Sequence, residues 1–267
     1  MQHTFISGSR GVVEYAITPK SDDRPCEDAL VITDDFVAVI DGMSDPQGDL
    51  APGEVAGHST QLAHAITALP PDIAATEALA ILAALPTRAG AVLAIFSRTR
   101  REIWRVGDVN WAVDGVHHVP TKRVDDAMTL FRSAVNHAHL AAGAGLEDII
   151  TTDPGLTATF PLLHAQRSLA NQPGPWGYGV LNGTPIPAEH LAVVDVTDAT
   201  EVVLTSDGYP VPAASLAAAE RELAEALLAD PACLDRLAGM GKAPKPGAHG
   251  PDDRTYVRIR PADTRHE

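Results

Sequence analysis

The period of the apolar positions changes several times along the chain. Two β-branched, apolar runs open it, GVVEYAI at 11–17 and ALVITDDFVAVID at 29–41, and Asp34-Asp35 inside the second predicts a hairpin turn. The spacing of Val55, Leu62, Ile66 and Leu69 then predicts a helix that Pro70-Pro71 stops, and a second helix is expected over 73–85, before Pro86. AVLAIFS (91–97) and REIWRV (101–106) read as paired strands, followed by NWAV (110–113) with Asp114-Gly115 as the next turn. Residues 125–142 return to helical spacing, with Met128, Phe131 and Val135 on one stripe.

From 153 to 190 the texture differs. NQPGPWGYGVLNGTPIP is punctuated by Gly and Pro yet carries Trp176, Tyr178 and Val180, so a structured, flap-like segment is expected rather than a linker. Strands are expected again at 191–196 and 201–207, an Ala-rich helix at 215–229, and a last strand TYVRIR after a Pro/Gly/Lys loop at 242–251. No internal repeat or domain boundary is visible. The expected architecture is a single α+β domain over 1–267, with two packed antiparallel β-sheets flanked by α-helices.

Composition narrows the function. The 267 residues include 20 Lys+Arg against 35 Asp+Glu, a formal charge of −15, which argues against nucleic acid or an anionic membrane as partner. No apolar run approaches the roughly 20 residues of a membrane helix. MQHTFISGSRG lacks the basic start and apolar block of a signal peptide, so a soluble, cytoplasmic protein is expected. Cys26 and Cys233 alone support neither a disulfide framework nor a zinc cluster.

The candidate chemistry is acidic. Asp41 ends FVAVID and Asp207 ends VVLTSD, each followed by Gly, while Asp252 lies just before the last strand and Glu27-Asp28 open the second. Taken singly, Asp-Gly marks a turn. Converging carboxylates would need cations, and hard oxygen ligands favour Mg²⁺ or Mn²⁺ over zinc. The histidine pairs His117-His118 and His137/His139 lack chelate spacing, and Ser206 lacks the context of a nucleophile elbow.

The ordered motifs PCEDA (25–29), AVIDGM (38–43), WRVGD (104–108), LTSDG (204–208) and DDRT (252–255) resemble the metal-dependent protein phosphatases of the PPM, or type 2C, class. The resemblance spans almost the whole chain and implies that family's two-sheet sandwich. It also implies hydrolysis of a phosphomonoester by a metal-bridging water that attacks phosphorus in line. Asp41 would bridge two Mg²⁺ or Mn²⁺ ions, Gly42 would offer its carbonyl to one, and Asp207 and Asp252 would complete the other. Glu27 and Asp28 would act mostly through metal-bound waters. A third, weakly held ion would lie near Asp125 and Asp126, which equally suit the N-terminus of a helix. Asp108 would hold a supporting hydrogen-bonding position.

The departures from the family pattern lie on the substrate side. The family's Arg four residues before the Glu is Asp23 here, leaving Arg24, displaced by one, as the candidate phosphate contact or a solvated arginine. Ser44-Asp45 replaces Gly-Gly, Gly-Asp-Val-Asn replaces Gly-Asp-Ser-Arg, and Asp252-Asp253 replaces Asp-Asn. The expected substrate is a phosphoserine/phosphothreonine protein or a phosphorylated small molecule. Trp176 and Tyr178 are candidates to contact it, or else to pack the loop onto the core. The rival reading is a catalytically weak pseudophosphatase that binds a protein partner through the same cleft.

Overall fold

Strands with near-continuous apolar runs must be covered on both faces. Strands β3 (Ala29–Ile32) and β4 (Phe36–Met43, apolar through Ile40) are of this kind, and so is β5 (Gly90–Ser97, apolar from Ala91 to Phe96). The computed structural model describes residues 3–45, 48–51 and 53–261, and there these strands form the centre of a six-stranded sheet. Its order is β1 (Thr4–Ile6), β3, β4, β5, β6 (Glu102–Val106) and β9 (Leu191–Asp195). A five-stranded sheet has the order β2 (Val12–Thr18), β11 (Arg254–Ile259), β10 (Val202–Thr205), β7 (Asn110–Val113) and β8 (Val116–His118). Every pairing is antiparallel except that of β1 with β3, a departure from the all-antiparallel expectation.

Each interface has its own apolar cluster. Leu30, Val39, Phe96, Trp111, Leu204 and Val257 fill the space between the sheets. Helices α1 (Glu54–Thr67) and α2 (Ala75–Ala83) cover the outer face of the larger sheet, where Leu62, Ile66, Leu79 and Leu82 meet Phe36, Ile40 and Trp104. Helix α6 (Leu216–Ala229) covers the smaller sheet through Ala219 and Leu223 against Tyr209 and Tyr256. The α+β expectation of two packed sheets flanked by helices is what the chain adopts.

A helical group lies beyond the sheets: α3 (Arg123–Ala141), α4 (Leu146–Thr152) and α5 (Pro154–Ala165). Its joint is polar. Arg132 donates to Asp153 Oδ2 at 2.9 Å and to the carbonyls of Cys233 and Ala232, and Asn136 donates to Asp153 Oδ1 at 2.8 Å. This joint buries Arg132 and Asn136 and turns Phe131 out to solvent, against the stripe that the spacing predicts. The first residues of the Gly/Pro-rich stretch are therefore helix α5. The rest, 170–187, is a loop anchored to β5 by the Ala91–Leu181 bridge.

Among the described residues no helix is long and apolar enough to cross a membrane.

Candidate metal centre

The acidic motifs meet at one end of the sandwich. Asp41 sits in β4 opposite Val92 of β5, and the strand continues through Gly42 to Met43 instead of ending at the aspartate. Gly42 is needed for close approach rather than for a turn: a Cβ there would lie 2.5 Å from the Glu27 carbonyl oxygen and 2.7 Å from Val55 Cγ1. Asp207 follows β10 in the smaller sheet. A Cβ on Gly208 would lie 2.0 Å from the Asp253 carbonyl oxygen, so this glycine brings the Asp207 turn against the start of β11. Both Asp-Gly pairs are thus contacts between elements.

Asp28 ties the two sheets together. It precedes β3 in the larger sheet, and its Oδ2 accepts hydrogen bonds from Ser206 Oγ at 2.8 Å, just after β10, and from Thr255 Oγ1 at 2.7 Å, in β11 of the smaller sheet. Ser206 Oγ also accepts the Thr255 amide at 2.8 Å, so β10 and β11 are pinned beside Asp207.

The carboxylates divide into two electrostatic halves. Asp41 and Asp207 lie close enough to act on each other electrostatically. Withdrawal from bulk water, then the nearby charges of Asp207, Asp28 and Asp108, raise the Asp41 pKa well above the usual carboxylate range. The same causes, with Asp108 and Asp252 as neighbours, push Asp207 up to about 7. Burial, followed by the Asp253 charge, also raises Asp28 despite its two hydroxyl donors. Here negative charge accumulates, offset only in part by Lys122 near Asp207.

The other half is already neutralised. Lys20 Nζ lies 2.9 Å from Glu27 Oε2, 2.9 Å from Asp252 Oδ1 and 3.4 Å from Asp253 Oδ2, and it donates to Ser44 Oγ at 3.2 Å. Burial alone would lower the Lys20 pKa, but Asp252, Asp253 and Glu27 together raise it. Lys242 Nζ holds Asp252 Oδ2 at 2.7 Å, and Arg24 Nη2 holds Glu27 Oε1 at 2.9 Å. Burial would raise the Asp252 pKa, but the two lysines hold it below the ordinary value. Arg24, the candidate phosphate contact, is therefore engaged by Glu27. Glu27 in turn is committed to Lys20, Arg24 and Ser44, whose hydroxyl donates to it at 2.6 Å.

Asp108 stands beside Asp41 and Asp207 as an electrostatic neighbour. Its Oδ2 is 2.8 Å from Lys122 Nζ, which also reaches Asp125 Oδ2 at 3.3 Å and stands 5.4 Å over the Tyr178 ring. Asp125 and Asp126 lie in the first turn of α3, but neither caps it. Asp108, Asp125, Asp126 and Asp207 all line a cavity of about 350 Å³ whose walls include Met128 and Leu163. Tyr178 is buried against Val124 and Val180, its hydroxyl donating to the Gln166 carbonyl, so it packs the loop onto the core. Trp176 is exposed and does not line the cavity.

The donor set fits a hard divalent cation in one half only. Among the described residues no three His, Cys, Asp or Glu side chains are arranged to hold an ion between them. Two neighbouring carboxylates nevertheless suit Mg²⁺, which keeps several waters and is commonly held by one or two carboxylates. Asp41 and Asp207 would supply that pair, with Asp28 beside them. Around Glu27 and Asp252 an ammonium fills the space. Neither Lys20 nor Lys122 was singled out from sequence, because an isolated lysine carries no spacing signal.

No protein-family model matches the chain, and no curated protein does. Solved structures do. The chain is similar to the Mycobacterium tuberculosis serine/threonine phosphatase PstP/Ppp, at 17% identity over 93% of this chain and 98% of that one, TM-score 0.47. The catalytic domain of PstP in complex with two manganese ions matches at 18% identity over 93% and 98%, TM-score 0.45. Stp1 from Staphylococcus aureus matches at 14% identity over 97% of each chain, TM-score 0.43.

Proposed function

We propose that the chain is a Mg²⁺- or Mn²⁺-dependent phosphomonoester hydrolase. The observation that carries the reading is the Asp41–Asp207 pair. Two buried carboxyl groups, one in the larger sheet and one just after a strand of the smaller, stand close enough to shift each other's pKa, and Asp207 lines a cavity open to a small ligand. The resemblance of five ordered motifs to the PPM class supports metal positions for both aspartates.

When bound, a divalent cation supplies charge neutralisation at phosphorus and activation of water. The chain's own residues supply the frame. Asp41 and Asp207 would hold the ion, with the Gly42 carbonyl as a further candidate ligand; Asp28, fixed by Ser206 and Thr255, sets the spacing between the sheets at that point. Lys122 holds Asp108 at the cavity wall and keeps positive charge near the site of an incoming phosphate. A cavity of about 350 Å³ is the size of a small-ligand pocket, which accommodates a phosphorylated side chain or a phosphorylated metabolite. The protein is read as working on such a phosphate without nucleic acid or membrane, in the cytoplasm.

The test is hydrolysis of an aryl phosphate with Mn²⁺ or Mg²⁺ against a chelator control, followed by a panel of phosphopeptides and phosphorylated metabolites. Turnover that requires the ion supports the reading, and the panel identifies the substrate. Binding of phosphopeptides with no turnover of any substrate would favour the pseudophosphatase instead.

A further inference from the structure

We infer that the Lys20 ammonium stands in for one of two metal ions, so that the centre takes a single divalent cation, at Asp41 and Asp207. The inference rests on the metal-dependent reading above and specifies its stoichiometry. In the resemblance to the PPM class, Glu27 and Asp252 belong to a two-ion cluster. In this chain both are bound to Lys20 Nζ at 2.9 Å, with Asp253 Oδ2 and Ser44 Oγ completing a four-oxygen surround.

The surround is built rather than incidental. The Lys20 side chain is 8% exposed, and its own amide donates to Asp253 Oδ1 at 2.7 Å. Asp253 Oδ2 accepts the Glu27 amide at 3.0 Å, so one carboxylate fixes the backbone on both sides of the loop that delivers the lysine. The position before the last strand where the family carries Asn is thus an acid here, and the ammonium is the charge it answers.

Charge balance points the same way. On this side Glu27, Asp252 and Asp253 face Lys20, Lys242 and Arg24, three carboxylates against three cations. A divalent ion there would have to expel a buried ammonium or sit beside it, and either is costly in a water-poor setting. On the other side no ion pair to Asp28, Asp41 or Asp207 is found among the described residues, Lys122 being held by Asp108 and Asp125, and one dication answers most of that charge. Lys20 is a positioning residue in this account: it holds Asp252 and Glu27 in place, away from the ion.

Manganese stoichiometry tests this on the whole chain. Metal-free protein is dialysed against Mn²⁺, and bound metal is counted by elemental analysis alongside electron paramagnetic resonance. The expected result is one Mn²⁺ per chain with the spectrum of an isolated ion. Lys20→Met, which keeps length and removes charge, should bind a second Mn²⁺ and show exchange coupling between the two. Two coupled ions in the unmodified protein would overturn the inference while leaving metal dependence intact, and so would a single ion in folded Lys20→Met. No saturable Mn²⁺ at all would instead overturn the metal-dependent reading on which it rests. Should Lys20→Met fail to fold, the count on the unmodified chain still decides, and Lys242→Ala at the rim gives the second comparison. Freed of one partner but still paired with Lys20, Asp252 should leave the count at one Mn²⁺ per chain, and a second bound ion in folded Lys242→Ala would count against the inference.

Discussion

Ser206 Oγ and Asp28 Oδ2 are 2.8 Å apart, joined across 178 residues and across the two sheets of the sandwich. The bond places a buried carboxylate directly beneath the site where Asp207 leaves its strand. Removing a donor from a buried carboxylate leaves charge under-satisfied at a cost of about 1–3 kcal/mol. Ser206→Ala is accordingly expected to lower the unfolding free energy by about that amount. Chemical denaturation measures it, and an unchanged midpoint would show that the link between the sheets lies elsewhere.

Gly42 offers a steric test of the same region. An added methyl would meet the Glu27 carbonyl, Val55 and Ser59, each within 3 Å. Overpacking of this kind costs typically 1–3 kcal/mol. Gly42→Ala should therefore be destabilised by about that much and bind Mn²⁺ more weakly, because Asp41 is carried on the adjacent backbone. Normal affinity in the variant would show that the close approach does not set the site.

The acidity of Asp207 gives a dependence on pH. Its folded value of about 7 lies above the usual unfolded value of about 3.9. A carboxyl raised on folding adds nothing unfavourable below the unfolded value and progressively destabilises up to the folded one. Metal-free stability from this group therefore falls as pH rises from about 4 to about 7. In chelator, Asp207→Asn should melt higher than the unmodified protein at pH 8 and close to it at pH 4. The same titration makes Mn²⁺ binding weaken as pH falls below about 7. Parallel melting curves for the two proteins across this range would contradict the assignment.

The loop at 170–187 separates packing from surface. Tyr178 is buried and hydrogen-bonded, whereas Trp176 is exposed. Tyr178→Ala should cost about 3–5 kcal/mol, as for other buried aromatic truncations. Trp176→Ala should stay within about 0.5 kcal/mol and leave turnover of an aryl phosphate unchanged. Calorimetry with initial rates distinguishes them, and a large loss of aryl-phosphate turnover in Trp176→Ala would assign that ring to the site.

The strands and the acidic motifs were the legible part of the sequence, for a physical reason. Both-face burial makes β3, β4 and β5 continuous apolar runs, and the hairpin at Asp34-Asp35 and the turn at Asp114-Gly115 carry their own turn chemistry. Helices α4 and α5 were missed: α4 is only seven residues long and ends in Thr151-Thr152, while Pro154 and Gly155 open α5 and Pro161 lies inside it. The signal was present in Asp153-Pro154, a capping acid followed by Pro at the first helical position. The outward turn of Phe131 was invisible because α3 is docked by Arg132 and Asn136, polar residues that periodicity counts as surface. The lysines of the centre were illegible for a related reason. Only folding brings Lys20 against Asp252, 232 residues away.

The most direct measurement compares initial rates of aryl-phosphate hydrolysis in the unmodified protein, Asp41→Asn and Asp207→Asn, each with saturating Mn²⁺ and with chelator. Activity is expected only in the presence of the ion. Each substitution should lower kcat/KM by on the order of a hundredfold or more, since it removes charge where the transition state needs it compensated. Hydrolysis that survives the chelator, or undiminished turnover in either folded variant, would contradict a metal-dependent centre at Asp41 and Asp207.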